Sequence, residues 1–540
     1  MTDLRRLRIE SSWRWSLFGS PALERETGRL PASSPVTLAR RPGTKTSSSR
    51  RPPPSQDRSV SHQLGANRLS EPSRRSLSAA DRVPPQRRAA PSRALRLSAP
   101  ICPRAASDGQ VAEGRLSNRL WGADTEFVES VWRRRARMVG LSAVACFLIG
   151  AGAAEGSGRA TAGGASIPWP YRHLELGLTS APGGAAGLAA VAPFGFRYQY
   201  LAGGVNTGQD WTHWNPNGSF VSLYIAESEA QRIIPVFSYY EIRQSQPGAG
   251  IADEATADLD NLANVATMRS YYLTLELFYR RAAVAKGPVV LQMEPDLFGY
   301  IEQHSGHGDA STVPAAVAST GIGALRGLPN TAAGFAQAVL VLRDRLAPRV
   351  IVGYPISIWG TGKDIHLSHP SSSEVDRMAT AAVAFYRSLH ASFDVTFTEL
   401  TDRDAGYAEV VNGDGPGAWW APVDFNHDMR FLRDYHARIP LPIVMWQIPL
   451  GNTVSPIVDN TPYHYKDNKV QWLLGSASGP HLRAFVNVGG AALLFGGGQA
   501  QDTDAGDASG DGHADDGGYF DARARAYYAA GALALPAAKR

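Results

Sequence analysis

Between residues 167 and 500 the chain repeats one pattern, a short β-rich apolar run followed by a longer amphipathic stretch. The runs fall at 174–178, 196–201, 233–240, 289–294, 350–356, 395–400, 442–448 and 491–495. Several are apolar almost throughout, as strands covered on both faces must be. Helical patterns span 185–192, 226–232, 268–285, 333–346, 373–392, 427–436 and 481–488. Strands alternating with helices predict parallel βαβ units. Eight of them over roughly 350 residues predict an α/β fold, one (β/α)8 barrel of the TIM type with enlarged loops. An open doubly wound sheet is the alternative. No Gly-x-Gly-x-x-Gly follows the first run, which weighs against a dinucleotide-binding version of it.

Residues 1–132 carry none of this pattern. They are rich in Arg, Ser and Pro, as in Arg50-Arg51-Pro52-Pro53-Pro54, and offer no periodic apolar face to bury, so a disordered extension is expected. Of 54 Lys+Arg, 27 precede Met138, against 12 of 49 Asp+Glu. This part therefore carries about +15 and the rest about −10. The net charge of +5 describes neither part and gives no ground for a nucleic-acid partner. Residues 133–165 read as a secretory signal and short linker: Arg133-Arg134-Arg135-Ala136-Arg137, then an apolar, small-residue stretch to Ala154. That stretch falls short of the roughly 20 residues that span a bilayer. Met138 is then the expected working start, the destination secreted or periplasmic, and no membrane attachment is expected after signal removal. The 2 cysteines, Cys102 and Cys146, lie upstream of the expected barrel domain, 166–540, which leaves no disulfide scaffold.

Barrel active sites occupy the loops after the carboxyl ends of the strands, so the residues ending each run are the candidates. Glycoside hydrolysis needs two carboxyl groups, one protonated to assist the leaving group and one ionised. Glu294 and Asp296 end the fourth run two positions apart and would share a face if the strand continued. Two close carboxylates push one pKa upward, which suits a general acid. Glu399 and Asp402 end the sixth run, where a water-activating base could stand. The structural alternatives are a buried Glu294 paired with an arginine such as Arg197, and a surface turn at Asp402-Arg403-Asp404.

Around these stand flat rings and amides. Trp211, Trp214, Trp359 and Trp446 lie at or beyond strand ends and could stack on pyranose faces. Tyr239, Asn215 and Gln447 could bond sugar hydroxyls. The loop 502–516 packs aspartates and glycines in a spacing that could suit calcium. It lacks the twelve-residue pattern with a terminal glutamate, so a solvated acidic loop is the stronger expectation. No cofactor is otherwise expected. Clustered His/Cys of zinc spacing and a Gly-x-Ser-x-Gly elbow are both absent, which removes support for metalloprotease and esterase chemistry.

The segment Gln292-Met293-Glu294-Pro295-Asp296 resembles the Glu-Pro-Asp strand of glycoside hydrolase family six, the inverting cellulases. The resemblance implies Asp296 as general acid and an inverting outcome, on a barrel of seven strands rather than the eight counted here. The combined expectation is an exported glycoside hydrolase acting on a polysaccharide or oligosaccharide. A carbohydrate-binding barrel without chemistry, or a polysaccharide lyase with Tyr239 or Tyr240 as base, are the alternatives.

Overall fold

The computed structural model describes residues 167–536 apart from Ser478. Expectations for the extension 1–132 and the signal and linker 133–165 fall outside the described residues. Eight parallel strands form a closed barrel in chain order: β1 Glu175–Thr179, β2 Phe196–Ala202, β3 Ile234–Tyr240, β4 Val289–Met293, β5 Val350–Ile356, β6 Val395–Thr398, β7 Ile443–Ile448 and β8 Gly490–Phe495. Closure is made by β1 against β8, with Leu178 opposite Phe495. The count is eight, one more than the family-six resemblance implies.

Period-two alternation divides each strand between two cores. One set points into the barrel: Phe196 and Tyr198, Ile234 and Val236, Val290, Ile351, Val395 and Phe397, Val444 and Trp446, Ala492 and Leu494. The other packs outward against the helices. Gly353 of β5 sits on the inward side, where a Cβ would lie 2.4 Å from the Phe397 ring, so only hydrogen fits there. Side-chain caps start two of the four longest helices. Asn264 accepts from the backbone N–H of Ala266 and Thr267 to open Val265–Ala282, and Thr331 accepts from Gly334 to open Ala332–Leu346. The final helix, Tyr519–Ala529, returns to the first strand, where Tyr527 donates to the Leu174 carbonyl at 2.7 Å.

The elements differ from the sequence reading where backbone or length departs from a simple pattern. The fourth and sixth strands stop early, at Met293 and Thr398. Short helices at Trp211–Trp214, Glu254–Ala263, Leu297–His304 and Lys469–Leu474 sit inside stretches read as loop. They are too short for an apolar stripe to repeat convincingly. Among the described residues no helix is long and apolar enough to cross a membrane.

Candidate active site

The carboxyl ends of the strands surround an open cleft of about 1570 Å³. Strand parity explains much of its floor. Tyr200 continues the inward line of Phe196 and Tyr198, Tyr240 that of Ile234 and Val236, and Glu399 that of Val395 and Phe397, and all three line the cleft. Trp446 is 2% exposed and packs its ring 5.8 Å from that of Tyr200, so it forms floor rather than a free platform. Gln447 is re-aimed by a register shift in β7 and a positive φ of 56°. Its amide donates to the Tyr200 hydroxyl at 2.6 Å and lines the same cleft.

Parity fails at Glu294, and this is the main correction to the sequence reading. Its φ of 28° breaks the strand, and the side chain turns away from the cleft into the protein. There it is 1% exposed and accepts from the backbone N–H of Glu241 at 3.2 Å and Ile242 at 3.3 Å. Burial outweighs those bonds and pushes its pKa up to about 8. Arg197 is not its partner, being held by Glu227 at 3.1 Å and stacked over Tyr224.

Asp296 instead reaches the cleft. It stands at the N-cap of Leu297–His304 but makes no capping bond, which leaves its carboxyl for other work. Burial, then the charges of Glu399, Glu254 and Asp258, hold its pKa well above the aspartate range. Glu399 is pushed up to about 7 by burial and by Asp402, against a hydrogen bond from the Trp359 side chain that lowers it. Asp402 lines the cleft too, gripped by Arg403 through two bonds of 2.7 and 2.5 Å and by the Gln499 amide at 2.5 Å. One hollow thus holds Asp296, favoured toward its protonated form, beside Glu399, pushed up to about 7. An acid and a base set apart by environment can do general acid–base or nucleophilic chemistry.

Other expected binding residues separate cleanly. Trp214 and Trp359 line the cleft, the latter packed on Tyr300 at 4.9 Å between ring centres. Trp211 is fully buried in the helix-side core, and Asn215 does not border the cleft. Tyr239 points outward by parity, fully buried, with its hydroxyl 2.8 Å from that of Thr274. Sequence reasoning missed Glu254, which accepts from the Tyr240 hydroxyl at 2.7 Å, and Asp364 and His366, all lining the cleft. Glu254 and Asp364 lie well beyond the ends of the runs, outside the positions surveyed. Asp404 is buried and braces loops by accepting from Gly451 and Thr503.

In the loop 502–516 the aspartates hold backbone of the loop and of the start of the final helix. Asp515 accepts from Ala508 and Ser509, Asp516 from Gly518 and Phe520, and Asp507 from Gly512. Among the described residues no group of three or more His, Cys, Asp or Glu is arranged to hold a metal ion.

No protein-family model and no curated protein matches the chain. Among solved structures it is similar to a modular endo-β-1,4-mannanase of glycoside hydrolase family 26 from Cellulomonas fimi. That match has 10% identity and a TM-score of 0.38, over 68% of this chain and 76% of the mannanase. A family 26 endo-β-1,4-mannanase catalytic domain from a Bacillus species also has 10% identity and a TM-score of 0.38, over 66% and 86% of the two chains. A lyase or mutase from Burkholderia cenocepacia has 13% identity and a TM-score of 0.27, over 61% and 78%.

Proposed function

We propose that the chain is a glycoside hydrolase that cleaves a polysaccharide or oligosaccharide in this cleft, with Asp296 as general acid and Glu399 as its ionised partner. The observation that carries the reading is the pairing itself: two carboxyls just beyond the ends of β4 and β6, lining one cleft, with both proton affinities raised by burial and by neighbouring carboxylates. Asp296 protonates the departing glycosidic oxygen. Glu399 faces the developing positive charge at the anomeric carbon, either attacking it or guiding water to it. Asp402, fixed by Arg403 and Gln499, sets a like charge near Glu399 and so raises its proton affinity. Trp359 and Trp214 offer ring surface for sugar faces.

A lyase reading has weaker support. Tyr239 lies in the core, and burial among Asp296, Glu254 and Asp258 raises the Tyr240 pKa, which opposes a phenolate base. Export through the 133–165 signal is part of the proposal. Its test is the N-terminal sequence of secreted material, expected to begin after Ala154. For the activity, reducing-end release is measured across a panel including β-1,4-mannan, xylan, cellulose and chitosan. Release from at least one is expected, and the anomer formed first reports whether Glu399 attacks or guides water. Release from none, or unsaturated products, contradicts the proposal.

A further inference from the structure

One short helix links the two carboxyls of the cleft. Leu297–His304 opens at Asp296, and its next turn grips the loop that follows β5. Tyr300 packs its ring 4.9 Å from that of Trp359. Gln303 donates its side-chain amide to the Trp359 carbonyl at 3.1 Å. On the core side, the Phe298 ring lies 5.2 Å from that of Tyr354 in β5. Trp359 in turn bonds Glu399 through its side chain. An indole has a single donor and no acceptor, so this bond uses the one polar hydrogen it has. The contacts therefore run from Asp296 along the helix to Trp359, and from Trp359 to Glu399.

Gly299 sits where helix and indole meet. It is buried inside the helix, a place where glycine is disfavoured against alanine. Its φ lies outside the left-handed region, so the backbone does not call for glycine. Space does. A Cβ there would lie 2.6 Å from Cη2 and 2.8 Å from Cζ3 of Trp359, and 2.8 Å from the Ser357 hydroxyl. A methyl must therefore displace the ring or the helix. Moving the ring disturbs its bond to Glu399, and moving the helix carries Asp296 with it. The loop makes the matching concession at Gly360, where a Cβ would lie 2.7 Å from Oε2 of Glu302 on the same helix.

We propose that Gly299 is a positioning residue: by letting the Trp359 ring lie against the helix that begins at Asp296, it fixes the two carboxyls relative to each other. Its effect on turnover rests on the hydrolase reading; its effect on Glu399 through Trp359 does not.

The test reads Glu399 without substrate. Full-length protein labelled with ¹⁵N-tryptophan is titrated with acid and base by NMR. The Trp359 side-chain N–H signal is identified by its loss in Trp359→Phe. In the parent this signal is expected to titrate with a midpoint of about 7, and Glu399→Gln is expected to remove that step. Other charges act on Glu399 as well: Asp402 and Asp364 favour its protonation, Arg403 opposes it, and Asp296 is coupled to it. Gly299→Ala is expected to raise the midpoint by about one pH unit, the scale of one weakened bond to an ionised carboxylate. Gln303→Ala changes an exposed residue, loosens the same loop and is expected to raise the midpoint by less. If Gly299→Ala does not fold, Gln303→Ala decides alone. An unmoved midpoint overturns the inference, as does a step that survives Glu399→Gln.

Turnover supplies the second arm. The acid limb of kcat/KM is expected to follow the midpoint in Gly299→Ala, yet Gly299→Ala should add nothing once Trp359→Phe is present. An equal move in that background overturns the inference, because Gly299 then acts without the indole. If the midpoint moves but no glycan is cleaved, the hydrolase reading fails and the positioning role stands. Cleavage with an unmoved midpoint has the opposite meaning.

Discussion

Three carboxyls at the carboxyl ends of the fourth and sixth strands show how environment, rather than residue type, sets a role. Glu294 is buried and bonded to backbone; Asp296 is half-buried and faces the cleft; Glu399 continues the line of its strand and takes a bond from Trp359. The Trp359 contact makes a signed prediction. Glu399 must be ionised to act, so kcat/KM should fall as pH drops through about 7. The bond from Trp359 favours the ionised form. Trp359→Phe should therefore move this acid limb to higher pH, as a pH–rate profile would read directly, and an unmoved limb removes Trp359 from the site's electrostatics.

At the level of elements, the strand ladder delivers Glu399 to the cleft, and the ladder depends on inward-facing sizes. Gly353 leaves room for Phe397, two residues before Glu399. Gly353→Ala should cost about 1–3 kcal/mol by overpacking and should lower kcat together with the melting temperature, since the end of β6 must shift. A melt and a rate measured on the same variant check the coupling; a normal rate in a destabilised variant would argue that β6 moves without carrying Glu399. The strands themselves were legible in the sequence because apolar runs recur at barrel spacing, and all eight fall within two residues of their expected ends. Parity was legible as well. It assigns Tyr240 to the cleft and Tyr239 to the helices, although Tyr239 looks equally suited when only its nearness to the strand end is weighed. The positive φ values at Glu294 and Gln447 were not legible, because neither residue type announces a left-handed backbone. The β7 shift brought Gln447 in, and the β4 break turned Glu294 out. Asp364 and His366 were missed because they come from a short helix far beyond β5, where spacing from the strand carries no information.

Over the whole molecule, buried carboxyls couple stability to pH. Burial pushes Glu294, Glu302, Asp404 and Asp428 each up to about 8. Each binds its proton more tightly when folded than when unfolded, where a carboxyl titrates near about 4. The stability they contribute is thus full below about pH 4 and is lost progressively as pH rises to about 8, beyond which they add no further slope. Thermal melts should show this decline, and Glu294→Gln should flatten part of it while raising the midpoint at alkaline pH. A slope unchanged by that variant would mean Glu294 ionises without penalty. The barrel accounts for residues 167–536 apart from Ser478. A chain beginning at Gly156 should accordingly keep the melting temperature and activity of the full-length protein, and loss of either would give the first 155 residues a structural part.

The central claim concerns one proton on one residue. Turnover of Asp296→Asn on whichever glycan the wild type cleaves best tests it most directly. The account predicts a loss of about 10²–10⁴ in kcat, with the melting temperature kept, since asparagine preserves the shape of the protonated acid. Turnover near the wild-type value would contradict it.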